Sequence, residues 1–142
     1  MKNILVPIGT SPDSHETLQY AVHFAKDFGS RIYVMEVFSV TAMAGSLTNV
    51  EKKVAQSSKD HLREVIEKVS AEGVDIKIAT YNGDLVDGLK EINEELGIDL
   101  IIISPRSNDI KEELYLGNTS GRIIKRTDIP TLRAQRHPVP TF

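Results

Sequence analysis

The sequence contains no cysteine, which excludes disulfides, thiolate nucleophiles and cysteine-based zinc sites. It has no long apolar run either. No continuous stretch exceeds four residues, the length of Leu100 to Ile103, far below the roughly 20 residues that a membrane-spanning helix needs. An excess of positive charge is also missing. The formal net charge is −3, so no global field attracts nucleic acid. Arg122, Lys125, Arg126, Arg133 and Arg136 make the C-terminal stretch locally basic, which reads as a solvated helix face and tail. The opening Met1 to Val6 is basic and then apolar, but Pro7 and Gly9 cut it short of the apolar segment of a signal peptide. The expectation is a cytoplasmic protein with neither a nucleic-acid nor a membrane partner. No GxxxxGK[ST], GxGxxG or GxSxG occurs, so a Walker loop, a dinucleotide fingerprint and a nucleophile elbow are all absent.

What is present suffices for one domain spanning residues 1–142. With 40% hydrophobic and 26% charged residues, the chain can bury a core unaided. Lys2 to Ile8 is short, apolar and β-branched, and predicts a buried strand. Leu18, Ala21, Val22, Ala25 and Phe28 then recur at helical spacing. Ser11 before Pro12 suits a helix cap, Asp13 with Glu16 offers a second capping pair, and Gly29 supplies the stop. Arg31 to Val37 predicts a second strand. A loop of small residues, Ser39 to Thr48, leads to a long helix from about Asn49 to Glu72. Its apolar positions are Val50, Val54, Leu62, Val65, Ile66 and Val69, and Gly73 ends it. Val74 to Thr80 alternates apolar and polar residues, as an edge strand with one wet face does.

Asn82-Gly83-Asp84 reads as a turn with Asp84 as the cap of a third helix, which carries Leu85, Val86, Leu89, Ile92 and Leu96 and closes at Gly97. Ile98 to Ile103 is the most apolar strand and is expected at the centre. A polar loop, Ser104 to Leu116, leads to a last helix, Gly117 to Arg126. Ile129-Pro130 enters a weak strand at about Thr131 to Gln135, and 136–142 reads as a loose tail.

Strands alternating with helices imply a doubly wound, five-stranded parallel sheet with helices on both faces. In the order 3-2-1-4-5 the strand order reverses between the first and fourth strands. Ligands bind outside the carboxyl ends of such a pair. The two exit loops are Gly9 to Pro12 and Ser104 to Leu116. Gly117-Asn118-Thr119-Ser120 opens a helix. Free N–H groups there suit a phosphate, Thr119 and Ser120 add hydroxyls, and Arg106 adds a charge. The same residues are also ordinary helix starters. Glu112 and Glu113 in this loop oppose an anion. His15, His23 and His61 read as surface histidines without metal-ligand spacing, and nothing supplies a general base.

The chain resembles the universal stress protein family from Lys2 to about Ala134. Ile4-Leu5-Val6-Pro7 with Gly9-Thr10-Ser11 is similar to the family's first strand and turn, and Ile98-Asp99-Leu100-Ile101-Ile102 to its fourth strand. Leu116-Gly117-Asn118 is similar to the end of its nucleotide loop, and Ile129-Pro130 to its entry into the fifth strand. The resemblance implies an adenine nucleotide alpha hydrolase-like fold and a crevice lined by Pro7, Ile8, Gly9, Val37, Ser104, Arg106, Ser107, Gly117, Asn118 and Thr119. No cofactor is required by it, but ATP or AMP is the ligand it suggests. In nucleotide-binding members the loop carries three glycines. Here their positions are Ser104, Ser107 and Gly117, and only the last is glycine. An aspartate usual near the adenosine is replaced by Gly9. Serine adds a Cβ, Pro105 removes an N–H donor, and Gly9 offers no side chain to a ribose or base. The resemblance therefore implies a stress-response protein that acts through dimerisation or an unknown protein partner without tight ATP binding. An ATP- or AMP-binding switch is the alternative, and an enzyme acting on another anion is the third reading. Family dimers pair their fifth strands, here Thr131 to Gln135, where Arg133 and Gln135 stand in a segment that is strongly apolar in the familiar family version.

Overall fold

The computed structural model describes residues 1–40, 47–104 and 127–135. Among these residues the elements are β1 (Asn3–Pro7), α1 (Ser14–Phe28), β2 (Arg31–Phe38), α2 (Leu47–Glu67), β3 (Ile76–Asn82), α3 (Leu85–Leu96), β4 (Leu100–Ile103) and β5 (Thr131–Arg133). The strands form one sheet in the order β3-β2-β1-β4-β5, and every pairing is parallel. The expected reversal between the first and fourth strands is therefore present, with Ile4 opposite Leu100 and Leu5 opposite Ile101. The expected last helix, 117–126, and the tail, 136–142, lie outside the described residues. Among the described residues no helix is long and apolar enough to cross a membrane.

The inner strands are apolar on both faces because helices cover both faces. Ile4, Val6, Ile32, Val34, Leu100 and Ile102 pack with Leu18, Ala21, Val22, Leu62 and Val65 on the side of α1 and α2. Leu5, Tyr33, Met35, Ile101 and Ile103 pack with Leu89 and Ile92 on the side of α3. Successive residues of a strand alternate faces, so an inner strand of a covered parallel sheet reads as a continuous hydrophobic run. β3 lies at the edge and is nowhere fully buried, in accord with its alternating sequence.

Several boundaries differ from expectation, each for a local reason. α1 begins at Ser14. Asp13 caps it without a side-chain hydrogen bond, and Ser11 Oγ accepts the Asp13 N–H at 3.3 Å. Phe28, the last residue of the helical apolar spacing, is 56% exposed and stacks on Phe24, because it lies beyond the last buried position of the helix, Ala25. α2 starts at Leu47 and stops at Glu67. The next two N–H groups, those of Lys68 and Val69, bond three residues back, to Val65 and Ile66. Gln19 of α1 then takes both backbone groups of Ser70, accepting its N–H at 3.0 Å and donating to its carbonyl at 3.1 Å. That lateral clamp replaces the helical ladder before Gly73 is reached. Val50, read as an apolar position of this helix, is 46% exposed; among the residues of α2 whose burial is described, Ser58, Leu62 and Val65 are the fully buried ones. In α3 the Asp84 carboxylate accepts the Val86 N–H at 3.1 Å, and the Gly97 N–H donates to Asn93, as the sequence predicts. β4 begins at Leu100 because Asn93 Oδ1 captures the Ile98 N–H and Asp99 turns its carboxylate onto the start of β1. β5 is shorter than expected and ends at Arg133.

Candidate functional site

Parallel pairing sets the carboxyl ends of β1, β2 and β4 side by side, and these ends frame the crevice. Pro7 closes β1. Ile8 follows it, 5% exposed, and its N–H donates to the Met35 carbonyl at 2.8 Å, which extends the grip on β2. The Gly9 carbonyl accepts from Ser14 Oγ at 3.2 Å, a hydroxyl that also lies 2.8 Å from the Ser11 carbonyl. The turn after β1 is thus held by the first residue of α1. Val37, near the end of β2, stands opposite Tyr81 of β3. Just beyond it the Val40 N–H donates to Asn82 Oδ1 at 3.1 Å and the Gly83 N–H to the Phe38 carbonyl at 2.8 Å, so the ends of β2 and β3 are tied together.

Ser104 is the first residue after β4 and is held from two sides. Thr17, 2% exposed in α1, donates its hydroxyl to Ser104 Oγ at 3.4 Å, and Arg133 Nη1 donates to the Ser104 carbonyl at 3.1 Å. Of the residues expected at the site, Pro7, Ile8, Gly9, Val37 and Ser104 come together at this one end of the sheet. Arg106, Ser107, Gly117, Asn118 and Thr119 lie outside the described residues.

One polar cluster was not anticipated from the sequence. Glu36 of β2, whose side chain is 13% exposed, receives His61 Nδ1 on Oε1 at 2.8 Å and the Ser58 hydroxyl on Oε2. Two signals could have revealed it: a charge directly after the buried run of β2, and Ser58 and His61 spaced three apart on one face of α2. His61 is therefore not the plain surface histidine expected. His15 lies by the Pro12 carbonyl at 3.2 Å and His23 by Glu72 at 3.5 Å. Among the described residues no group of three or more His, Cys, Asp or Glu could hold a metal ion.

The clearest carboxylate effect lies at the opposite end of β1. Asp99 Oδ2 accepts the Lys2 and Asn3 N–H groups at 2.8 and 2.9 Å, and these two bonds hold its carboxyl below the ordinary value. On the α3 side, burial pushes the Tyr81 phenol up, and the charges of Glu91, Asp87 and Asp84 add to it.

The family model described as the universal stress protein family matches residues 1–134, on this sheet order and around this crevice. The chain belongs to the universal stress protein family. A universal stress protein of Methanocaldococcus jannaschii is 25% identical over 136 residues, covering 92% of this chain and 80% of the relative. A solved universal stress protein in complex with cAMP superposes with a TM-score of 0.74 at 18% identity, over 96% of this chain and 98% of the other. The universal stress protein of Archaeoglobus fulgidus in complex with dAMP gives a TM-score of 0.64 at 19% identity, over 95% and 98% of the two chains. At these identities the structural likeness establishes the shared fold. Within that fold, this universal stress protein has Gly9 and Ser104 just beyond the ends of β1 and β4.

Proposed function

We propose that this is a cytoplasmic stress-response protein that acts by self-association or by binding a protein partner, and that its crevice does not hold ATP tightly. The observation that carries this reading is the way the described rim of the crevice is occupied by the chain itself. The Ser14 hydroxyl is shared between the Gly9 and Ser11 carbonyls, and Ser104 is held by Thr17 and Arg133. Groups that would have to turn toward a nucleotide are engaged within the fold, and Gly9 has no side chain to offer. Self-association is supported by the sheet order: β5 is the last strand in its direction, so one of its edges has no partner strand among the described residues. An open edge is a template for pairing. In this reading Thr131 to Gln135 of two copies meet.

An adenine-nucleotide switch is the second reading, favoured by the solved universal stress proteins in complex with cAMP and dAMP. Thermal unfolding with ATP, AMP and no ligand separates the two. A ligand at ~100 times its Kd adds about 2.7 kcal/mol to stability. The first reading expects little or no shift at micromolar ATP and a small one at millimolar concentration, whereas a full shift at micromolar ATP overturns it. Sedimentation over a range of concentrations tests self-association, and a monomer at the highest concentration removes the β5 dimer.

A further inference from the structure

At the end of the sheet opposite the crevice, where β2 and β3 begin, lies an open cavity of about 400 Å³. Two turns wall it. One follows α1, where Lys26 and Gly29 lead to Arg31, the first residue of β2. The other follows α2, where Glu72 and Gly73 lead to Asp75, just before β3. Gly29 and Gly73 have φ of 64° and 84°, and a Cβ on either would meet no atom within 4 Å. Left-handed backbone favours glycine at both, so the two turns leave the space between them unfilled.

Four charged side chains line this space, two of each sign. Arg31 Nε donates to Asp75 Oδ2 at 2.8 Å and Nη1 to the Tyr33 hydroxyl at 3.5 Å, while Nη2 has no partner among the described residues. His23 Nδ1 and Lys26 Nζ both approach Glu72 Oε2, at 3.5 and 3.9 Å, and Glu72 Oε1 is unengaged among the described residues. Glu72 also has a φ of 50°, alone among the described non-glycine residues in being positive. Glycine would suit that backbone better, and residues held in such conformations cluster at ligand sites. What glycine would lose is the carboxylate. We propose that this cavity binds a small zwitterion, a free amino acid or a short peptide, with Glu72 Oε1 taking the ammonium and Arg31 with Lys26 taking the carboxylate. A simple anion would meet Glu72 and Asp75, and a simple cation Lys26 and Arg31, whereas a molecule with one charge of each sign is opposed at neither end. The cavity lies at the small end of the range for ligand pockets, which suits a molecule of this size. Solvent-exposed ion pairs contribute little, so a ligand can share these charges at low cost.

Heteronuclear NMR titrations of the full chain test this with glycine and triglycine as probes. The controls are N-acetylglycine, which lacks the ammonium, and glycinamide, which lacks the carboxylate. At millimolar concentration a zwitterion is expected to shift the amides of residues 25–31 and 72–75, and the stronger of the two probes tells an amino acid from a peptide. Each control is expected to bind about tenfold more weakly, the loss of a single charge-assisted contact. Glu72→Gln removes the charge and keeps the shape, and is expected to bind the zwitterion and N-acetylglycine alike. Glu72→Gly relieves the left-handed backbone, and is expected to stay folded with a Tm close to that of wild type while losing the same tenfold. Absence of shifts with both zwitterions at millimolar concentration overturns the proposal. So do equal shifts with all four compounds, or an unchanged preference for the zwitterion in folded Glu72→Gln or Glu72→Gly.

Discussion

Glu36 shows how much one side chain can organise. It sits in a strand that is apolar from Ile32 to Met35 and again at Val37 and Phe38, and is tolerated there because Ser58 and His61 satisfy both of its oxygens. Removing the carboxylate leaves two part-buried polar groups of α2 without their acceptor. Glu36→Ala is expected to cost about 2 kcal/mol, within the range for hydrogen bonds to a charged group. Ser58→Ala is expected to cost about 1 kcal/mol. The double variant should lose less than the sum, since both changes remove the same bond. Urea unfolding of the three variants measures this, and strict additivity would refute the cluster. Asp99 supplies the pH dependence. Its folded carboxyl lies below the ordinary value because two backbone N–H groups favour the charged form. The sign follows from linkage: the stabilisation is present above the unfolded value, about 4, and is lost as pH falls through the folded value beneath it. Wild type should therefore exceed Asp99→Asn in stability at pH 7, and the gap should close toward pH 2. A gap that stays constant from pH 7 to 2 would exclude this role.

Between elements, the packing of α3 on the sheet turns on a close approach. A Cβ on Gly88 would lie 2.4 Å from Met35 Cε and 3.0 Å from the Tyr81 ring, both on the sheet beneath. Alanine in mid-helix gains about 1 kcal/mol over glycine. Overpacking a filled site costs about 1–3 kcal/mol, so Gly88→Ala is expected to destabilise on balance. Chemical denaturation gives the sign directly, and a stabilised Gly88→Ala would mean that Met35 and Tyr81 yield freely. The same spacing was read in the sequence only as a helix of Leu85, Val86, Leu89, Ile92 and Leu96. Which small residue touches the sheet depends on the rotation of the helix once docked. The ends of α2 and β4 were misjudged for a related reason. Gln19 and Asn93 capture backbone groups of Ser70 and Ile98, and such side-chain competition with a ladder depends on neighbours brought up by the fold.

At the scale of the whole molecule, the crevice exists because the strand order reverses between β1 and β4. That places Gly9 and Ser104, far apart in the chain, at neighbouring strand ends. If Gly9 is the main polar deficit of the site, Gly9→Asp should tighten AMP about tenfold, as a new hydrogen bond to a charged group would. Calorimetry tests this, and no gain would move the deficit to the loop after β4. The strand sequence, the helix stops at Gly29 and Gly97, the edge position of β3 and the 3-2-1-4-5 order were all legible from the amino acids. A strand covered on both faces must be apolar throughout, an edge strand alternates, and right-handed crossovers leave few topologies. The polar joints were not legible. Thr17 with Ser104, Arg133 with Ser104, and Glu36 with Ser58 and His61 span 22 to 87 residues of chain. Periodicity along one segment determines which face is buried. Which polar group on another segment arrives at that face is decided only when the sheet and helices pack, because a hydrogen bond depends on distances of a few tenths of an ångström that no local pattern carries.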